Sequence, residues 1–297
     1  MNSLLDARLF SGLLMIAFPL ALAVYLTRRF SLGWRLWWIG AATFILSQVG
    51  HIPFNALLTL LFQRGILPNP PPSWNPAFNA VILGLSAGLW EELSRAGVYR
   101  WWATDARSWR KGVLLGAGHG GIEAIILGGI VLMTFGSMLA MRGVDLSTMV
   151  PPEQLDLARQ QVAAYWSLPW QMGILGFVER LFTIPFHIAL SVVVMQAFTR
   201  RQPAWIALAV LWHAFADALV VYLAGIWSGQ TWSPYALEGV IAVNMLASLV
   251  VLFALRRPEP PEPQAEVISV PPAGPVPAEA VQIEVTEEKL DDSRFSE

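Results

Sequence analysis

Ionisable side chains are placed inside the most apolar parts of this sequence. The stretch GLSAGLWEELSRAGVYRWW, residues 84–102, contains Glu91, Glu92 and Arg95 in close succession. A charged group near the centre of a bilayer costs roughly 2.5–3.5 kcal/mol on insertion scales. Other apolar segments carry His51, His119, Glu123, Glu179, Arg180, His187, His213 and Asp217. Polar groups at such positions usually face a bundle interior or a wet cavity, which makes them candidates for a functional site.

Three pairs among these residues share a spacing of four, which places both members of a pair on one helix face. The pairs are Glu91 with Arg95, His119 with Glu123, and His213 with Asp217. Glutamate before arginine is the favourable order for an ion pair within a helix, and we expect one acid of the Glu91–Glu92 pair to serve the site and the other to pair with Arg95. An acid beside an imidazole orients the ring and raises its basicity, so we expect each of the two histidines to be oriented by its own acid.

Two kinds of chemistry fit these residue types. Acids and histidines clustered in a low dielectric can hold a water, deprotonate it and stabilise an oxyanion, which is what peptide hydrolysis requires. Three histidines with a carboxylate equally suit the ligand shell of a zinc ion. The candidate ligands are Glu91, His119, His187 and His213. The HExxH motif is absent, which excludes the ordinary zincin geometry, and the absence of cysteine excludes thiolate ligands.

The elements that must position these groups are predicted to be membrane-spanning helices. Hydrophobic residues make up 55% of the chain and charged residues only 13%, against roughly 25% in soluble domains. Seven apolar stretches are long enough to cross a bilayer. They are residues 9–27, 36–62, 77–101, 112–140, 169–199, 203–228 and 234–255. We therefore predict an all-α, multi-pass transmembrane helix bundle in contact with membrane lipids, and the net charge of −2 indicates no nucleic-acid partner.

The loops between these spans differ in their content of lysine and arginine, and the richer loops of a membrane protein face the cytoplasm. The richer set contains Arg28, Arg29, Arg35, Arg107, Arg110, Lys111, Arg200, Arg201, Arg256 and Arg257. The poorer set contains Arg64, Arg142 and Arg159. We therefore predict that the N-terminus lies outside and the C-terminus lies in the cytoplasm.

Depth in the membrane connects four of the candidate helices. At 1.5 Å per residue from the nearest cytoplasmic Arg or Lys, the four candidate ligands lie roughly 12 to 20 Å deep, in the cytoplasmic half. Glu179 lies roughly 32 Å from Arg200 by the same measure, so we expect Glu179 and Arg180 to form a structural ion pair or an outer gate. His51 has no acid at helical spacing, which favours a structural role.

Two segments are predicted to lie outside the bundle. Residues 151–168 are too polar to span and contain apolar side chains typical of a short helix lying on the outer interface. Residues 258–297 form an acidic tail rich in Pro and Glu that has no core-forming pattern, and we predict that it is disordered in the cytoplasm. The transmembrane domain is accordingly placed at residues 1–257.

Four motifs in order resemble a known family. EELSR (91–95), GHGGIEAI (containing His119), ERLFTIPFHIALSVVV (179–194) and LWHAFADALV (211–220) resemble the YhfC family of intramembrane metalloproteases. That family is grouped with the CAAX-processing and bacteriocin-immunity proteases, the PrsW proteases and the APH subunit of gamma-secretase. The resemblance covers residues 1–257 and implies a peptidase that cleaves a membrane-embedded or membrane-adjacent peptide or transmembrane protein.

The resemblance also implies roles for individual residues. Glu91 and Glu92 match the acid pair of the CAAX-protease pattern, the first as general base, and Arg95 would keep the pair ionised. His119 would bind or activate the water, and His213 would act as a ligand or oxyanion donor. His187 and Glu123 match the YhfC motifs rather than the wider pattern, and they favour a metal site holding Zn²⁺.

Three positions depart from the wider pattern. Arg95 follows the acids after two residues instead of three, and Leu115 stands where the second motif has phenylalanine. Asp217 occupies the position usually held by asparagine, and an acid there would hold an oxyanion poorly unless it is protonated or assists a metal. The sequence does not decide which of Glu91 and Glu92 faces the cavity, because neighbouring helical residues point about 100° apart.

Two other functions remain open from the residues alone. A non-catalytic scaffold or binding subunit of the APH type would use the polar layer to hold helices together. A transporter of protons or small solutes would use acid–histidine chains as a relay. The sequence shows no inverted repeat and no matching pair of broken helices, features that are typical of transporters.

Overall fold

A computed structural model describes residues 3–256, with side chains from residue 5 onward. This range contains eight α-helices and no β-strand. The helices are α1 (Ser3–Phe30), α2 (Arg35–Gln63), α3 (Asn75–Gly97), α4 (Trp109–Ala140), α5 (Leu155–Ser167), α6 (Leu175–Thr199), α7 (Ala204–Ile226) and α8 (Ser233–Ala254). The predicted all-α class is confirmed. The predicted disordered tail, residues 258–297, lies outside the described range.

Six of the helices are long and apolar enough to cross a membrane, namely α1, α2, α4, α6, α7 and α8. The remaining predicted span, residues 77–101, corresponds to α3, which has 23 residues and contains the charged group around Glu91. A single π-helical turn, Val98–Trp102, follows it. Helix α5 has 13 residues and falls inside the segment predicted to lie on the outer interface. The chain is therefore a multi-pass membrane protein whose helices occur where the apolar stretches predict them.

Helix α4 packs against α1, α2 and α6, while α3 packs mainly along α7. The glycines of α4 make the first of these arrangements possible. A Cβ on Gly116 would lie 2.6 Å from the Cα of Ile188 on α6, and one on Gly118 would lie 2.0 Å from the carbonyl oxygen of Trp37 on α2. Both distances are far shorter than van der Waals contact, so only glycine allows these backbones to approach so closely.

Helix α6 is the most enclosed of the six spans, with a continuous buried stretch from Phe186 to Ala197. His187 lies within this buried stretch and 5% of it is exposed. Because α4 approaches α6 without intervening side chains, His119 on α4 comes into ring contact with His187, with centroids 5.1 Å apart. The close crossing of these two helices therefore positions both histidines.

Candidate active site

The two adjacent acids of α3 point in different directions. Glu91 lines a large cavity and is 7% exposed, whereas Glu92 is fully buried in the protein interior. Consecutive residues on a helix are rotated by about 100°, so only one of the pair can face the cavity. Of the two acids that the sequence left as candidates, Glu91 is the one that can reach a ligand in the cavity.

Arg95 pairs with Glu92 rather than with Glu91, although the spacing of four also places Glu91 on its face. Both members of this ion pair are fully buried. A spacing of three residues also places two side chains on one helix face, and the rotation of Glu91 toward the cavity leaves Glu92 as the available partner. The other face of Glu92 meets α7, where His213 Nδ1 lies 2.7 Å from Glu92 Oε1. The trio Arg95, Glu92 and His213 therefore links α3 to α7.

His119 has a different partner from the one expected. Its Nε2 lies 3.0 Å from Glu91 Oε2, although the spacing of four had indicated Glu123. Glu123 instead meets α6, where its Oε2 lies 2.8 Å from His187 Nε2 and its Oε1 accepts a hydrogen bond of 2.6 Å from Arg180. The glycine-lined approach of α4 to α6 brings Glu123 closer to His187 and Arg180 than to His119 on its own helix.

Three side chains from three helices form a group that can hold a metal ion. Glu91, His119 and His187 each offer one ligand atom, and these atoms lie within 4.8 Å of one another. Among the residues that the structure describes, neither His119 Nδ1 nor His187 Nδ1 has a hydrogen-bond partner, although both atoms are buried. Buried ring nitrogens normally have a partner. Two histidines and a carboxylate are a recurrent donor set for catalytic zinc, so these residues fit a metal ion.

His213 and Asp217 flank this group from α7. His213 Nε2 lies 3.9 Å from Glu91 Oε2 and 3.5 Å from Asp217 Oδ2, so the pair with a spacing of four forms on the same helix, as predicted. His213 is outside the three-residue group that can hold a metal, although the sequence had placed it among the ligands. Its contact with Glu92 through Nδ1 directs its Nε2 toward Glu91 and Asp217.

The cavity has a volume of about 780 Å³. The ionisable side chains that line it are His51, Glu91, Glu123, Glu179, Arg180, His187, His213 and Asp217. Thr183 and Asn244 also line the cavity, and most of the remaining wall is apolar and comes mainly from α7 and α8, including Phe215, Val220 and Val243. A polar cluster beside a long apolar surface suits a substrate that is itself largely apolar.

Arg180 lies closer to the site than the membrane depth obtained by counting residues along its helix had predicted. It forms the predicted ion pair with Glu179, and its second contact, with Glu123, joins it to the histidine cluster. Counting residues along a straight helix neglected the reach of the guanidinium group, which spans the remaining distance. Arg180 therefore belongs to the wall of the site.

One residue of the site was not found from the sequence. Gln48 on α2 donates a hydrogen bond of 3.3 Å to Glu91 Oε1, and its amide oxygen lies 3.4 Å from His51 Nδ1. A glutamine in an apolar stretch three residues before a histidine was the available signal, because that spacing places both side chains on one helix face.

Comparison with known proteins identifies the family of the chain. The family described as YhfC intramembrane metalloprotease matches residues 14–256. The chain is also 25% identical over 261 residues to the uncharacterized membrane protein YhfC of Bacillus subtilis (strain 168), an alignment that covers 82% of this chain and 91% of that protein. No solved structure matches the chain. The family match extends over all the helices that carry the site, and the chain therefore belongs to the YhfC intramembrane metalloprotease family.

Proposed function

We propose that this protein is a zinc-dependent intramembrane peptidase. The observation that carries the proposal is the convergence of Glu91, His119 and His187, from three different helices, on the wall of one cavity inside a membrane bundle. An acid and two histidines in a low-dielectric interior make folding less favourable, so their presence there indicates a ligand or a reaction. The family description supports a metal and a protease-type activity.

Glu91 Oε2, one ring nitrogen of His119 and one ring nitrogen of His187 would hold the zinc ion. When bound, zinc supplies Lewis-acid polarisation of the scissile carbonyl and lowers the pKa of a water. Glu123 lies 2.8 Å from His187 Nε2, which leaves the partnerless Nδ1 of that ring available as a ligand. A carboxylate behind a metal-binding histidine fixes the ring and increases its basicity.

The proton of the attacking water would pass to His213, which lies beside Asp217 on α7. Glu92 accepts a hydrogen bond from His213 Nδ1, so a neutral His213 presents a lone pair at Nε2. Asp217 lines the cavity and lies 3.5 Å from this nitrogen, so a proton accepted there is stabilised by the nearby carboxylate. The ion pair with Arg95 stabilises the ionised form of Glu92. In this scheme Glu92 orients His213, and the general base is His213 with Asp217.

The substrate would be an apolar segment of another membrane protein that enters from the side. Phe215 on α7 and Val243 on α8 both line the cavity, yet they are 65% and 67% exposed on the surface of the bundle. The cavity thus reaches the apolar outer surface between α7 and α8. A peptide arriving through the lipid would pass these side chains before reaching Glu91.

Metal analysis together with cleavage analysis tests the proposal. The purified full-length protein is expected to bind one zinc ion, and Glu91→Gln, His119→Ala and His187→Ala are expected to lose it. Asp156→Asn, at a 92% exposed side chain on α5, serves as the matched control and keeps the metal. New protein N-termini in membranes of cells expressing the wild type are expected to disappear with Glu91→Gln. Wild-type protein that binds no zinc, or an unchanged set of N-termini in the variant, would favour a scaffold of the APH type.

A further inference from the structure

A short chain of hydrogen bonds on α2 and α3 leads to Oε1 of Glu91. It consists of Ser86, His51 and Gln48, none of which belongs to the group of candidate metal ligands. Polar side chains in a span are costly, and these three are at least partly buried. Their directions of donation can be deduced from the groups that they contact.

The amide of Gln48 has one chemically allowed orientation. Its Nε2 lies 3.3 Å from Glu91 Oε1, and a carboxylate oxygen requires a donor. Its second N–H points to Ser47 Oγ at 3.3 Å, and that hydroxyl already donates its hydrogen to the carbonyl of Phe44. Reversing the amide would place its oxygen against the carboxylate and against a hydroxyl without a free hydrogen. The oxygen of Gln48 therefore faces His51.

This orientation fixes a hydrogen on His51 Nδ1. The Gln48 oxygen, 3.4 Å away, can only accept, so Nδ1 must donate. On the other side of the ring, Nε2 lies 3.1 Å from Ser86 Oγ, whose hydrogen can go either to that nitrogen or to the Leu83 carbonyl at 3.0 Å. The ring is neutral in the first case and protonated in the second. In both cases Nδ1 carries a hydrogen.

We propose that Gln48 and His51 are positioning residues that orient Glu91 for the metal. The inference rests on the proposed function, since it concerns the same site. Gln48 occupies Oε1 of Glu91, which leaves Oε2 as the single ligand oxygen beside His119. His51 holds the Gln48 amide in the donating orientation, and Ser86 holds His51. The carboxylate of Glu91 is thereby prevented from rotating, which lowers the entropy lost when it binds an ion.

Four variants of the full-length protein test this role. Gln48→Leu removes the donor to Glu91 and keeps a similar volume. His51→Leu removes the donor to Gln48, whereas His51→Asn keeps an amide N–H at the position of Nδ1. Thr43→Val is the matched control, because Thr43 is fully buried on the same helix and its hydroxyl bonds only within that helix, to the Ile39 carbonyl at 2.7 Å.

Two measurements separate this inference from the proposed function. The infrared carboxylate band of Glu91 in metal-free protein, assigned by difference from Glu91→Gln, is expected to shift in Gln48→Leu and His51→Leu. It is expected to stay in place in His51→Asn and Thr43→Val. The zinc affinity, measured by competition with a coloured chelator, is expected to fall about 10–100-fold in Gln48→Leu, by less in His51→Leu, and to recover in His51→Asn.

The outcomes differ for the two ideas. A wild-type protein without zinc affinity overturns the proposed metal centre, and the infrared band still decides whether Gln48 orients Glu91. An unchanged band in Gln48→Leu overturns the positioning role, even where zinc binds. Equal loss of zinc affinity in His51→Leu, His51→Asn and Thr43→Val also overturns it, because a general loss of packing would then explain the effect.

Discussion

Adjacent residues of the same type have different roles in this site. Glu91 faces the cavity and His119, whereas Glu92 is enclosed between Arg95 and His213. The two carboxylates leave the α3 axis in different directions, and each therefore has its own partners. A buried carboxylate and a buried guanidinium are tolerated in a membrane interior when each compensates the other, and this holds for Glu92 and Arg95.

This arrangement predicts that Arg95→Met destabilises the protein by about 3–5 kcal/mol, because it leaves a buried carboxylate without its counter-charge. The double variant Arg95→Met with Glu92→Gln is expected to lose less, because no unpaired charge remains. Unfolding of the purified protein in detergent measures both effects. A double variant that is less stable than Arg95→Met would contradict the assignment of Glu92 as the partner.

A surface ion pair provides the control for this prediction. Arg35 and Asp105 pair at 3.0 Å with side chains 58% and 47% exposed, so Arg35→Ala is expected to cost under about 1 kcal/mol. The hydrogen bond from Arg35 holds the pKa of Asp105 below its ordinary value of 3.8. The small contribution of this pair is therefore present above about pH 4 and is lost as the pH falls through the lowered pKa.

Helix α4 acts as the central element because glycines line two of its faces. The face of Gly112, Gly116 and Gly120 contacts α6. A second face, with Gly118, contacts α2, where Gly40 makes the reciprocal approach at 1.9 Å from its virtual Cβ to the Leu115 carbonyl. Both close crossings are adjacent to His119, so helix packing determines where that ring lies.

We expect Gly118→Ala to separate α2 from α4 and to reduce both stability and zinc affinity. The added methyl would lie 2.0 Å from a backbone oxygen, which cannot move without the helix. Gly129→Ala on the same helix is the control, because no atom lies within 4 Å of its Cβ position. Alanine is the better helix former, so that variant is expected to be neutral or stabilised by about 0.5–1 kcal/mol. Equal thermal stability of the two variants would argue against the close crossing.

At the scale of the whole molecule, the bundle places a polar site inside an apolar shell. Side chains such as Leu211, Phe215, Val243 and Val250 are exposed on α7 and α8, as expected of surfaces that meet lipid. The direction in which the bundle crosses the membrane decides which compartment the cavity serves. The excess of lysine and arginine on alternate loops predicts that the N-terminus is outside.

This orientation is tested with single cysteines, because the chain contains none of its own. Thr104→Cys lies in the exposed loop between α3 and α4, and Ser228→Cys lies in the exposed loop between α7 and α8. A membrane-impermeant maleimide is expected to label the Ser228→Cys variant in intact cells, and the Thr104→Cys variant only after permeabilisation. The reverse pattern would invert the predicted topology.

The sequence by itself determined the helices and the set of polar groups inside them. Long apolar stretches must become helices in a bilayer, because the backbone has no other hydrogen-bond partners there, and this made the spans predictable. The spacing of His213 and Asp217 was also sufficient to predict their contact. A single acid–histidine pair within one helix depends only on local geometry.

Only the tertiary structure decided which acid meets which histidine. His119 pairs with Glu91 on α3 instead of Glu123, and Glu123 pairs with His187 and Arg180 on α6. Those partners are 28 and more residues apart in the chain, and their distances depend on helix rotation and on the close glycine crossings. Rotation and crossing are set by packing between helices, which the spacing of residues within one helix does not specify.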